Sequence, residues 1–126
     1  MSDEKIIRAL ADWIHRLGEN YPPTDDITAF NFGIFQKTDE SYRLYISGAR
    51  VFDPNTDDWA CETDYLPEGR YFEHVFDCDS NWELMLDHAI RLTTRYVESP
   101  EFKTSFLRSA QAITVGFDDG NLKRIL

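Results

Sequence analysis

Cysteine is scarce. Cys61 and Cys78 are the two thiols in 126 residues, too few for a disulfide scaffold, so the chain reads as a cytoplasmic protein with reduced thiols. Basic residues are also few: 13 Lys and Arg stand against 23 Asp and Glu, a net charge of −10. That balance argues against binding to nucleic acid or to an anionic membrane, both of which need an excess of Lys and Arg. It favours a cationic partner, or solubility alone. No apolar run approaches the ~18–20 residues of a membrane span. The start, Met1-Ser2-Asp3-Glu4-Lys5, is acidic where a signal peptide would be basic. The three histidines, His15, His74 and His88, are scattered. There is no phosphate-binding glycine loop, no G-x-S-x-G elbow, no C-x-x-C and no H-E-x-x-H. Repeats, low-complexity tracts and linkers are missing too, so residues 1–126 read as a single domain.

What is abundant is apolar and aromatic: 42% hydrophobic residues, with 9 Phe, 6 Tyr and 3 Trp. This is enough to offset chain entropy by burial. From Asp3 to about Asn20 the period is helical, with Ile6, Leu10, Trp13 and Leu17 on one stripe flanked by Ile7 and Ile14. Asp3 and Glu4 suit the first turn, and Pro22-Pro23 ends the helix. Thr28–Gln36 and Tyr42–Val51 then alternate around a polar turn, predicting an antiparallel hairpin. Short strands are expected at Trp59–Tyr65 and Arg70–Phe76. Ser80 and Glu83 match a capping box opening a second helix, with Trp82, Met85, Leu86, Ala89, Ile90 and Val97 as its apolar face. Ser99-Pro100 starts a short helix with Phe102, Phe106 and Leu107 inward. Ile113, Val115 and Phe117 alternate as a last strand, and Leu122–Leu126 form a tail. The order predicts an α+β fold: a mainly antiparallel sheet of about four to five strands packed against N-terminal and C-terminal helices.

The charge is concentrated. Nine carboxylates and one arginine, Arg70, lie between Asp53 and Asp79, so eight of the ten net negative charges fall in 27 residues. Trp59, Tyr65, Tyr71, Phe72 and Phe76 are interleaved with them. One reading is a recognition surface, where carboxylates steer a basic protein and aromatics anchor it. The other is a solvated loop whose aromatics point into the core. Asp53-Pro54-Asn55-Thr56-Asp57 also has the D-x-N-x-D opening of a calcium loop, but Asp58 stands where that loop needs glycine and Asp64 where it needs glutamate. An Asp/Asn-rich turn accounts for these residues. Cys61, His74 and Cys78 lack zinc spacing. A Cys–His nucleophile pair drawn from them has no third residue to orient it. No cofactor, metal or catalytic residue is therefore expected. A small carboxylate-based metal-binding or hydrolytic domain and a general acidic interaction module stay open as alternatives, and the aromatic content leaves room for a homodimer.

The stretch Ser47-Gly48-Ala49-Arg50-Val51-Phe52-Asp53, continuing through Asp57-Asp58-Trp59-Ala60-Cys61 to Asp64-Tyr65 and Pro67, resembles small acidic bacterial immunity proteins of polymorphic-toxin and contact-dependent inhibition systems. The pattern covers about a fifth of the chain. The resemblance implies a protein without catalysis of its own that binds and neutralises a cognate toxin domain, basic and in many systems a nuclease. It implies Asp53, Asp57, Asp58, Glu62 and Asp64 as charge partners, with Trp59 and Tyr65 as anchors.

Overall fold

The computed structural model describes residues 2–78, 81–118 and 120–126. The first helix, α1 (Asp3–Asn20), begins at Ser2, whose hydroxyl accepts the Lys5 amide. It buries Ile6, Leu10, Trp13, Ile14 and Leu17, the stripe its period predicts. β1 (Ala29–Thr38) and β2 (Ser41–Ala49) form the expected hairpin. The second helix, α2 (Trp82–Val97), is capped by Asn81, whose side chain accepts the Leu84 amide. The Ser80 of the proposed capping box lies outside the described residues. Two 3₁₀ turns, Pro100–Thr104 and Phe106–Ser109, replace the single short helix and bury Phe102 and Leu107 as expected.

The remaining strands are β3 (Phe76–Asp77), β4 (Ala112–Phe117) and β5 (Lys123–Arg124), giving the order β3-β2-β1-β4-β5. The fold is α+β, and its sheet is mixed. β1 pairs antiparallel with β2 but parallel with β4, because the chain leaves β2, crosses through α2 and returns beside β1. The two predicted strands in the acidic half shrink to short contacts along the outer edge of β2: Tyr65 bridges Gly48, Tyr71 bridges Tyr45, and β3 pairs with Ser41 and Tyr42. Overlapping the start of the first of them, Asp58–Cys61 is a 3₁₀ turn rather than a strand. Local backbone bonds explain the difference. The Ala60 amide donates to the Asp57 carbonyl and the Glu62 amide to the Trp59 carbonyl, each at 3.1 Å, so these donors are taken within the turn and are lost to a ladder.

The core lies between the helices and one face of the sheet. Phe30, Phe32, Ile34, Leu44, Ile46, Ile113 and Val115 meet Leu10, Ile14, Met85, Leu92 and Tyr96 there. Trp82 departs from the apolar face predicted for α2. It sits in the first turn and is 56% exposed, its ring edge-on to Phe117. The start of α1 is tied to the middle of α2 by Asp3, which accepts Arg91 Nε at 3.0 Å and faces His88 at 3.4 Å. The Arg91 hydrogen bond is the main reason that its carboxyl stays below the usual 3.8.

His74 sets an acid-side weakness of the fold. It is half-buried beside Phe76, 4.6 Å between ring centroids, and near His88. Burial, reinforced by His88, holds its pKa below the ordinary 6.5. The folded protein therefore favours neutral His74, while the unfolded chain takes up a proton at the ordinary value. Stability present above pH 6.5 is lost as pH falls below it. Thermal melts between about pH 7 and 5 are expected to show this fall, and His74→Gln to flatten it. An unchanged slope in the variant contradicts the assignment.

Candidate functional site

The second face of the sheet is built from small residues in register. Ala49, Ala29 and Ala112 lie abreast on β2, β1 and β4, then Ser47, Asn31 and Thr114, then Gly33 and Gly116 beside Tyr45, the one large side chain of these rows. Side chains this short let chain segments lie directly on the strands. Two do so. The acidic loop after β2 lays Trp59 over the three alanines, with Phe52, Ala60 and Leu122 around it. The C-terminal tail presses so close to Gly116 that a methyl group there would come within 2.9 Å of the Asn121 carbonyl oxygen. The Leu122 amide donates to Asp57 Oδ2 at 3.1 Å, Phe52 stands edge-on to Trp59, and the Arg124 guanidinium lies 5.0 Å over the Phe52 ring. Loop and tail thus form one layer, fastened from both sides.

This arrangement sorts the residues singled out by the acidic pattern. Trp59 is 5% exposed and Tyr65 8%. Both are buried plugs in the folded chain, so neither ring is presented at the surface as the anchor the resemblance implies. Tyr65 fits between Phe30 and Phe106 and donates its hydroxyl to the Tyr21 carbonyl at 2.7 Å. Burial pushes its phenol up to about 12. Asp53 and Asp57 are engaged by backbone amides, of Asn55 and Leu122 respectively. Asp64 accepts the Arg50 amide at 2.9 Å and faces the Arg50 guanidinium at 3.9 Å. Asp58 and Glu62 remain. They flank the Trp59 turn, are exposed, and their carboxylates have no hydrogen bond or ion pair among the described residues.

Beside the turn lies an aromatic strip that the charge pattern did not single out. Phe35, Tyr45 and Tyr71 pack tilted or edge-on to one another, with centroids 5.6–6.3 Å apart. Tyr45 lies flat across Gly33, where a Cβ would meet its ring at 2.1 Å; glycine is what admits the ring. Its hydroxyl donates to Asp118. Burial first, and then that carboxylate, drive the Tyr45 phenol far above its ordinary range. Tyr71 is 42% exposed, with Arg70 at 4.8 Å and Arg43 at 5.9 Å from its ring centre. Both guanidinia are held from behind by carbonyls, Arg43 by Phe72 and Arg70 by Pro67. Turn and strip are linked along the edge of β2, where Tyr65, just after the turn, bridges Gly48 and Tyr71 bridges Tyr45. The signal for the strip was the alternation of β1 and β2, which places Phe35 and Tyr45 on the same face.

The surface that results is a rigid turn carrying two free carboxylates next to a rigid aromatic ridge. Tyr and Arg are the residue types that carry binding energy at protein interfaces. Immobilised groups lose little entropy on binding. Among the described residues, no group of three or more His, Cys, Asp or Glu side chains is placed to hold a metal ion. No described helix is long and apolar enough to cross a membrane. Comparison with protein-family models, curated proteins and solved structures finds no match for this chain.

Proposed function

We propose that the protein is an inhibitor of the immunity-protein kind: it binds a basic toxin domain in the cytoplasm of the producing cell and blocks it without catalysis of its own. The observation that carries this reading is the presentation of Asp58 and Glu62. Trp59, buried between them, fixes the turn to the sheet, so both carboxylates are held outward without an internal partner. Surface carboxylates held in this way steer a cationic partner into contact and then pair with it. The Phe35–Tyr45–Tyr71 strip supplies the apolar contact that charges alone do not. A toxin that uses a basic cleft to hold nucleic-acid phosphates would lose that cleft to this surface.

The test is capture followed by inhibition. The tagged protein, incubated with lysate of its native strain and washed in moderate salt, is expected to retain one basic protein in stoichiometric amount. Adding the purified inhibitor should abolish that protein's activity at a one-to-one ratio. A captured partner that keeps full activity when saturated with inhibitor would sink the neutralisation reading.

A further inference from the structure

Where β1 and β4 end beside the first turn of α2, the surface opens into a cleft of about 720 Å³. This lies within the range of ordinary ligand sites. Its walls are Phe35, Tyr42, Trp82 and Phe117, and at its rim is Asp118. The rings are set edge to face: Phe117 meets Trp82 at 6.3 Å and Tyr42 at 5.7 Å. Trp82 is a large apolar side chain left 56% exposed at a helix start. Such exposure leaves apolar area in water that a bound group would cover.

Among the described lining residues, Asp118 is the one ionisable acid or base apart from the phenol of Tyr42, and it is oriented. One of its oxygens accepts the Tyr45 hydroxyl, and Tyr45 is itself pinned across Gly33. The cleft therefore combines π-faces and a fixed carboxylate, with no competing cation among its described lining residues. Aromatic walls attract cations through the negative faces of their rings, and a carboxylate at the mouth adds directional hydrogen bonding. A planar guanidinium satisfies both demands, since it stacks on a ring while donating N–H groups in its own plane.

We propose that this cleft receives an arginine side chain from a protein partner. The guanidinium stacks on Trp82 and donates to Asp118, and the flanking residues of the partner fill the remaining volume. The argument stands on the cleft and does not need the acidic turn to be a binding surface. The two sites do share Phe35, so one partner can span both.

The test uses the isolated protein and a small probe. The indole N–H signal of Trp82 is followed by NMR while N-acetyl-arginine-N-methylamide is added at constant ionic strength. N-acetyl-citrulline-N-methylamide, the neutral isostere, is titrated in parallel. The arginine probe is expected to shift the Trp82 signal saturably, and the citrulline probe to bind at least about 5-fold more weakly. Asp118→Asn should weaken the arginine probe by a similar factor while leaving the rest of the spectrum in place. Equal responses to the two probes, no response to arginine, or an unaltered arginine affinity in Asp118→Asn would each overturn the proposal. None of these results bears on capture through Asp58 and Glu62, so the two readings fail separately.

Discussion

Trp59→Ala is expected to destabilise the isolated protein by about 3–5 kcal/mol, the cost of emptying an aromatic-sized site in a core. For a chain of this size that corresponds to a fall of about 10–20 °C in the unfolding midpoint. The effect belongs at the upper end because the site cannot collapse. Its floor is Ala29, Ala49 and Ala112 on three hydrogen-bonded strands, whose methyl groups cannot reach into the vacated space. The loss should spread to the tail, since Asp57 and Phe52 hold Leu122 and Arg124 only while the loop lies flat. Trp59→Phe keeps an aromatic plug and should cost distinctly less. Thermal and urea melts of the two variants check this without any partner present. If Trp59 were a protruding anchor, Trp59→Ala would leave the melt unchanged and affect binding alone.

The second large effect is on association. Asp58→Lys combined with Glu62→Lys should leave stability within about 1 kcal/mol of the parent, because exposed charges without partners contribute little to folding. Binding to the basic partner should fall by about 10–100-fold at low ionic strength. The pair is chosen because the other three acids of the pattern already have internal partners. Reversing Asp57 would release the Leu122 amide, and reversing Asp64 would repel Arg50, so each would mix a folding defect with a binding defect. Equilibrium binding of the captured partner to parent and double variant gives the ratio directly.

Elements governed by one local period were legible from the residues. The α1 stripe, the β1–β2 hairpin and the alternation of Ile113, Val115 and Phe117 need only neighbours three or four, or two, residues away. Relations between distant segments were not legible. The parallel pairing of β1 with β4 depends on the route of the chain through α2, which alternation within a strand does not encode. The direction of Trp59 depends on three alanines contributed by three strands, and these align only once the register is set. An aromatic within a run of acids looks the same from the sequence whether it plugs a sheet or projects from a loop. Trp82 misled in the opposite sense. It keeps helical phase with Met85 and Ala89, yet it stands in the first turn, where its ring meets Phe117 and remains largely in solvent. The clustering of charge did locate the acidic turn. It did not separate Asp58 and Glu62 from the acids that hold the loop together.

The central claim is that these two carboxylates guide a basic partner onto the surface. It is tested most directly by measuring the association rate with the captured partner across ionic strength, for the parent and for Asp58→Lys with Glu62→Lys. The account predicts a parent rate that falls steeply as salt rises, a variant rate that is low and nearly flat, and convergence of the two at high salt, where the Debye length shrinks to about 3 Å. Parallel curves with the same slope for both proteins would contradict it, placing the partner's contact away from the turn.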